Sequence, residues 1–171
     1  LKEVINNSDL ISINDEESEM ITGEKDLQKA ARVLHNMGPK FVIIKKAADG
    51  AELFNFDNQF KSNAFKVSKV VDPTGAGDCF IGGIAGYLTQ SDEISFDTIK
   101  SAIAYGTSIA SYNVENMGTK NLLHLSMDDI KTRTNKLKSE WSAKTWMWNF
   151  IDPLKKTTWL LHAKIWFTHV W

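Results

Sequence analysis

Short β-branched runs alternate with helical patterns over the first 114 residues of this chain, and this alternation limits its fold more than any other feature. Residues 9–13 (DLISI) and 40–46 (KFVIIKK) are typical of buried strands. In the segment between them, apolar residues recur at helical spacing until Gly38 and Pro39 end the pattern. Strands that alternate with helices predict an α/β fold, a three-layer α/β/α sandwich around a mostly parallel sheet.

The remaining elements follow from the same kinds of pattern. The sequence predicts a short helix over 14–23, a turn with a returning strand and a hairpin tip over 48–60, and a half-buried strand over 65–71. Three longer helices are predicted after them, over 75–88, 95–114 and 126–140. The helices at 75–88 and 95–114 are rich in small side chains, which allows them to pack closely. Ser126 is the predicted N-cap of the last helix.

Composition and charge exclude several other classes of protein. The hydrophobic fraction of 43% and the charged fraction of 24% are those of a folded globular protein, not of a disordered one. The formal net charge of −1 gives no overall field that would attract nucleic acid or an anionic membrane. Cys79 is the only cysteine, so no internal disulfide can form, and this favours a reducing, cytoplasmic setting.

The composition changes abruptly near residue 140, because all six tryptophans lie between Trp141 and Trp171. We therefore predict two parts, a folded domain over 1–138 and an atypical tail over 139–171. The tail is either foreign to the fold, as an out-of-frame translation would be, or an interfacial membrane anchor. Its final apolar run is shorter than the roughly 20 residues that a membrane span requires.

Residues 72–78 (DPTGAGD) place two glycines and an acid where a predicted helix begins. The segment lacks the lysine of a Walker motif, and Phe80 stands where a dinucleotide fingerprint requires its third glycine. The unpaired amides and the dipole of a helix start nonetheless favour an anion such as phosphate. Asp78 would repel that anion, so it is either a general base toward an attacking hydroxyl or a complement to the helix dipole.

The longer stretch over residues 72–88 (DPTGAGDCFIGGIAGYL) resembles the C-terminal signature of the ribokinase-like (PfkB) carbohydrate kinase family, D-T-x-G-A-G-D-x-F-x-G. The matching residues are Asp72, Thr74, Gly75, Ala76, Gly77, Asp78, Phe80 and Gly82, and Pro73 is a small departure. The resemblance implies a ribokinase-like fold and transfer of the ATP γ-phosphate to a hydroxyl of a sugar or nucleoside.

The same resemblance assigns roles to the residues of the signature. It implies that Asp78 is the catalytic base and that the amides of Gly75, Ala76 and Gly77 form an anion hole for the transferred phosphoryl group. It implies further that Asp72 and Thr74 bind a monovalent cation such as K⁺.

A second family motif is matched near the start of the chain. Asn14 and Glu17 resemble the N-x-x-E segment, which helps to hold Mg²⁺ and phosphate largely through water. An Asn followed three residues later by a Glu is also a capping box at a helix start, and both readings can hold together.

Residues 41–54 (FVIIKKAADGAELF) resemble the strand–turn–strand that follows in the family. Gly50 matches a family glycine, whereas Ala47 stands where another glycine is common, and its methyl group could weaken nucleotide binding. Lys45 or Lys46 could reach a phosphate, although a lysine at a strand end is more often only solvated. The resemblance also places Asn113 in the segment 102–118 that shapes the adenine pocket, where a closely packed core helix is the alternative.

The resemblance covers about residues 1–138 and corresponds to the second half of a family member. The chain lacks an initiator Met and starts in what reads as the end of a helix, so we predict a C-terminal fragment without the acceptor-binding half. Such a fragment could be inactive alone, and family members often form homodimers through parts that it lacks. The alternative is a non-catalytic nucleotide-binding or interaction module. The sequence does not identify the acceptor.

Overall fold

Four strands form one mixed sheet in the computed structural model, which describes residues 1–141. In order across the sheet they are β1 (Leu10–Asn14), β2 (Phe41–Lys45), β3 (Ala51–Phe54) and β4 (Gln59–Ser62). β1 and β2 are parallel, whereas the pairs β2–β3 and β3–β4 are antiparallel. The predicted α/β class is confirmed, but a mostly parallel sheet is not. Short turns join β2 to β3 and β3 to β4, and strands joined in this way run in opposite directions.

Helices account for most of the other described residues. They are α1 (Lys2–Asn6), α2 (Asp15–Thr22), α3 (Leu27–Asn36), α4 (Ala76–Leu88), α5 (Phe96–Asn113) and α6 (residues 127–141), with 3₁₀ turns at Ala47–Asp49 and Lys120–His124. The predicted cap of α6 is present, since Ser126 Oγ accepts from the Asp129 amide at 3.2 Å. Most of the predicted tail over 139–171 lies outside the described residues.

Helices lie on both faces of the sheet. On one face α3 packs in a buried cluster formed by Ala30, Ala31, Leu34, Val42, Ile44 and Phe54. Ile43, Leu53 and Phe60 follow one another in the pairing register and point to the opposite face. α5 lies on that face, because the Lys100 Nζ atom is 5.3 Å from the centre of the Phe60 ring. This helix–sheet–helix order is that of the predicted sandwich.

The backbones of α4 and α5 are in close contact at Gly83 and Gly106. A Cβ atom built at Gly83 would lie 2.8 Å from the Gly106 Cα, and one built at Gly106 would overlap the Phe80 carbonyl oxygen. Packing this close excludes any larger residue at either position. The small-residue composition of the two helices therefore brings the start of α4 beside α5.

The predicted strand over residues 65–71 is wrong, because the chain from 63 to 75 forms neither strand nor helix. The alternation that suggested it is partly real, since Phe65 and Val67 are half-buried while Lys66 and Ser68 are exposed. A strand also needs a neighbour to accept its backbone hydrogen bonds, and none of the four strands described within residues 1–141 pairs with this segment.

Candidate active site

In the described part of the chain, the turn before α4 leaves three backbone amides without an acceptor. Gly75 adopts the left-handed region with φ of 78°, which a glycine tolerates at little cost. The Ala76 amide donates to the Pro73 carbonyl at 3.1 Å. Among residues 1–141, nothing accepts from the amides of Gly75, Gly77 and Asp78. They lie at the positive end of the α4 dipole, so this turn is suited to an anion.

Asp78 lies in the first turn of α4 with an exposed side chain. No ion pair of Asp78 is formed with any residue of the described range. Its carboxylate is therefore available to a group in front of the helix. Burial, and then the charge of Asp78, raise the pKa of the neighbouring Cys79 thiol, so Cys79 is a neutral, half-buried side chain rather than a nucleophile.

The end of α5 holds the segment that precedes the turn. The amides of Val71 and Asp72 both donate to the Val114 carbonyl, at 2.7 and 3.3 Å. The Asn113 Nδ2 atom donates to the Thr74 carbonyl at 2.8 Å. The latter bond joins residues 39 positions apart, so no local pattern in the sequence indicates it. The contact of Asn113 with ATP stays a prediction.

Asp72 connects the turn to the loop after α5. One carboxylate oxygen accepts from the Thr74 amide at 2.9 Å, and the other accepts from the Gly118 amide at 3.1 Å. Hydrogen bonds from Thr74, and then from Gly118, hold the pKa of Asp72 below its ordinary value. The role of Gly118 was missed from the sequence. Whether Asp72 and Thr74 also bind a cation stays a prediction.

Of the two lysines at the end of β2, Lys45 is the one beside the turn. A Cβ atom built at Gly77 would lie 3.6 Å from the Lys45 Nζ atom. The Lys45 ammonium has no ion pair with any residue that the structure describes. Lys46, by contrast, donates to the buried Glu52 carboxylate at 2.8 Å. Lys45 is therefore the lysine placed to meet an anion at the turn.

Asn14 and Glu17 form the capping box that the sequence predicts. The Asn14 Oδ1 atom accepts from the Glu17 amide at 2.7 Å, and the Glu17 Oε2 atom accepts from the Asn14 amide at 2.8 Å. Asn14 pairs with Lys45 in the parallel register of β1 and β2, so both stand at the carboxyl edge of these strands. This edge is where ligands bind in open α/β sheets. A role for the pair toward Mg²⁺ stays a prediction.

The turn between β2 and β3 contains the two positions that the family resemblance compares with glycine. Gly50 has φ of 90°, and a Cβ atom there would overlap the Ser62 carbonyl oxygen, so packing alone requires glycine. Ala47 adopts φ of 47°, a left-handed conformation that is unfavourable for a residue with a Cβ atom. The structure thus explains why a glycine suits position 47 without any ligand.

A cavity of about 350 Å³ lies elsewhere, between α3 and the β3–β4 hairpin, and none of the predicted site residues lines it. In residues 1–141, no group of three or more His, Cys, Asp or Glu side chains is placed to hold a metal ion. Of the helices in that same range, none has the length and apolarity needed to cross a membrane.

Comparison with known proteins identifies the family. The model of the pfkB family carbohydrate kinases matches residues 1–125 of this chain. The chain belongs to this family. The resemblance of residues 72–88 is thereby confirmed, and the family assignment extends to β1–β4 as well as to α4 and α5.

Curated PfkB relatives include sugar and nucleoside kinases. The chain is 38% identical to a cytidine kinase of Thermococcus kodakarensis over 89 residues, which are 51% of this chain and 32% of that protein. It is 34% identical to a 2-dehydro-3-deoxygluconokinase of Bacillus subtilis over 129 residues, 75% of this chain and 36% of the relative. The PfkB chain thus spans about a third of the length of these relatives.

Solved structures of related kinases share the fold. Aminoimidazole riboside kinase from Salmonella enterica, complexed with aminoimidazole riboside and an ATP analogue, matches with a TM-score of 0.69 and 26% identity. That match covers 78% of this chain and 44% of the other. Ribokinase from Thermotoga maritima matches with a TM-score of 0.67 and 27% identity, over 79% of this chain and 45% of that one. The PfkB chain therefore has a ribokinase-like α/β fold.

Proposed function

We propose that this chain carries the phosphate-handling part of an ATP-dependent kinase that phosphorylates a hydroxyl of a sugar or nucleoside. The arrangement at the start of α4 supports this most directly: an exposed Asp78 stands beside the open amides of Gly77 and Asp78, with Lys45 over the same turn. A pure anion-binding site would gain nothing from a carboxylate that repels its ligand. An acid next to an anion hole suits phosphoryl transfer to an alcohol.

In the proposed reaction Asp78 accepts the proton of the acceptor hydroxyl while the hydroxyl oxygen bonds to the γ-phosphorus of ATP. The bond from that phosphorus to the β–γ bridging oxygen breaks, and ADP leaves. The amides of Gly77 and Asp78 donate to the γ-phosphoryl oxygens, where negative charge is spread in the transition state. Gly75 and Ala76 shape the turn from which these amides project, and Lys45 adds a positive charge beside the phosphates.

We assign Asn14 and Glu17 to the Mg²⁺ that accompanies ATP. When bound, this ion would neutralise charge on the β- and γ-phosphates. The capping box uses the Oε2 atom of Glu17, which leaves Oε1 to accept a hydrogen bond from metal-bound water. Asp72 and Thr74 are assigned to K⁺, since the hydrogen bonds that lower the pKa of Asp72 keep its carboxylate charged.

Acceptor binding, in this proposal, comes from a part of the kinase outside these 171 residues. The chain covers 44% and 45% of the two solved kinases described above. The proposed kinase acts in the cytoplasm, in keeping with its single cysteine. A non-catalytic nucleotide-binding module is the second candidate, and the strained Ala47 in the β2–β3 turn is the observation that favours it.

The proposal is tested by Asp78→Asn in a full-length version of the enzyme, assayed with Mg-ATP and a panel of sugars and nucleosides. Turnover is expected to fall by about 10²–10⁴-fold, the usual contribution of a general base, while the Kd of ATP changes little. Asp97→Asn is the matched control, because Asp97 is also an exposed acid in the first turn of a helix. It complements the dipole of α5 and should leave turnover unchanged.

Near-normal turnover of Asp78→Asn would remove the general-base assignment. An equal small effect of both substitutions would show that Asp78 acts only on the helix dipole. ATP binding without any transfer by the full-length wild type would favour the non-catalytic module.

A further inference from the structure

We infer that Asn113 is a positioning residue for the anion hole, because its side chain fixes the turn from which the amides of Gly77 and Asp78 project. The inference rests on the function proposed above. The Asn113 Nδ2 atom donates at 2.8 Å to the carbonyl of Thr74, the residue directly before Gly75. Asn113 is 1% exposed, so in this inference its side chain acts through the turn, in place of the direct contact with ATP that the sequence predicts.

The hydrogen bonding of the Asn113 side chain indicates that its donor, and not its volume, is what this position requires. The Asn113 Oδ1 atom is buried and has no hydrogen-bond partner in the described part of the chain. A buried acceptor without a partner destabilises a fold, so an apolar side chain of similar size would suit this position better. The asparagine is therefore useful here for the donor that it presents to Thr74.

The geometry also fixes which way the amide faces. If the side chain were turned over, Oδ1 would face the Thr74 carbonyl oxygen, and two acceptors repel each other. A Cβ atom built at Gly75 would lie 3.8 Å from the Asn113 Nδ2 atom, so the amide lies directly against the turn. Hydrogen bonds to the Val114 carbonyl connect Val71 and Asp72 to the end of α5. The bond from Asn113 adds Thr74, two residues further along the chain, to this connection.

The experiment compares Asn113→Leu, Asn113→Ala and the control Ser108→Ala in this chain. Ser108 is a suitable control because it is a fully buried side chain of α5 that donates to a backbone carbonyl elsewhere, that of Ile130 at 3.0 Å. Three quantities are measured: amide hydrogen exchange by NMR without ligand, the free energy of unfolding, and the Kd of Mg-ATP. The amides of Thr74, Ala76 and Cys79 report on the turn, since each is hydrogen-bonded within it.

In both Asn113 variants we expect exchange at the three reporter amides to be about five- to tenfold faster, as the loss of one hydrogen bond implies. The Kd of Mg-ATP should rise by a similar factor. Asn113→Leu should retain the stability of the wild type, whereas Asn113→Ala should lose stability because it loses packing. If both variants nevertheless accelerate exchange at the reporter amides equally, the effect comes from the lost hydrogen-bond donor and not from the lost volume. Ser108→Ala should lose stability and leave both the reporter amides and the Kd unchanged.

Unchanged reporter amides in the two Asn113 variants would overturn the inference. So would an acceleration shared equally by the sheet amides or by Ser108→Ala, because this would indicate general destabilisation. The exchange measurement needs no ligand. A wild type that fails to bind Mg-ATP therefore counts against the proposed function, while the exchange data still decide the role of Asn113.

Discussion

At the residue scale, Ala47 occupies a strained backbone conformation in the turn between β2 and β3. Its φ of 47° costs a residue with a Cβ atom about 1–2 kcal/mol, whereas glycine loses roughly 0.5–1 kcal/mol of chain entropy instead. Ala47→Gly is therefore expected to raise the free energy of unfolding by about 0.5–1 kcal/mol, measured by urea denaturation. Removal of the methyl group should also tighten Mg-ATP binding if the nucleotide passes this turn.

The neighbouring Ala48→Gly is the matched control for this prediction. Ala48 lies in the same 3₁₀ turn with a negative φ, so glycine there should lower the free energy of unfolding by about 0.5–1 kcal/mol. Equal destabilisation by both substitutions would contradict the idea that position 47 is strained.

Residues whose roles depend on local chemistry could be predicted from the sequence. The capping box of Asn14 and Glu17 is such a case, since its hydrogen bonds join positions three apart. The glycine turn directly before α4 is another, although the left-handed conformation of Gly75 within it was not predicted. The Asn113–Thr74 bond could not be predicted, because which residue of α5 meets the turn depends on the crossing of two helices. The left-handed conformation of Ala47 could not be predicted either. The sequence indicates only that an alanine stands where glycine is common in the family.

At the scale of elements, an ion pair between the half-buried Lys46 and the buried Glu52 connects the start of the β2–β3 turn to β3. Burial acts to raise the pKa of Glu52, but hydrogen bonds from Lys46 at 2.8 Å and Gln59 at 2.7 Å outweigh it, so the pKa of Glu52 is lowered. The pKa of Lys46 is raised, chiefly by the same bond to Glu52. The Glu52 carboxylate therefore stabilises the fold above its unfolded pKa, and this stabilisation is lost as the pH falls through the lower folded value.

Glu52→Gln is expected to lower the free energy of unfolding by about 1–3 kcal/mol at neutral pH, because it leaves the half-buried Lys46 without its charge partner. The difference in the free energy of unfolding between wild type and Glu52→Gln should narrow as the pH falls through the lowered pKa of Glu52, where the wild-type carboxylate also becomes protonated. Urea denaturation at a series of pH values measures both effects. Asp9→Asn is the control: its ion pair with Lys40 is 2.9 Å long but highly exposed on both sides.

A constant difference between wild type and Glu52→Gln across this pH range would contradict the role of the Glu52 charge. The returning strand β3 and the turn after it were predicted, but β4 was not, since its residues Gln59–Ser62 are mostly polar and overlap the predicted hairpin tip. The irregular conformation of residues 65–71 could not be predicted from the sequence. Alternation indicates which side chains are buried, but it does not indicate whether another strand pairs with the segment.

For the whole molecule, we proposed that this chain binds the phosphates and the metal ion, while acceptor binding comes from a part of the kinase outside these residues. Every residue assigned to phosphate and metal lies between Asn14 and Asn113, within the part matched by the family model. We therefore predict that residues 1–171 bind Mg-ATP, and that residues 1–141 bind it equally well, measured by calorimetry. Neither should phosphorylate a sugar or nucleoside, measured by mass spectrometry, because no acceptor site is proposed within them.

The two parts of this prediction, Mg-ATP binding and the lack of phosphorylation, are contradicted by different results. Loss of Mg-ATP binding on removal of residues 142–171 would show that the Trp-rich tail contributes to nucleotide binding. It would contradict the prediction that this tail is separate from the folded domain. Phosphorylation of an acceptor by residues 1–171 alone would contradict the proposal that the acceptor site lies outside these residues. It would at the same time strengthen the assignment of the chain as a kinase. Positioning of the acceptor supplies much of the rate in phosphoryl transfer, so a chain that only orients phosphate is expected to bind ATP without consuming it.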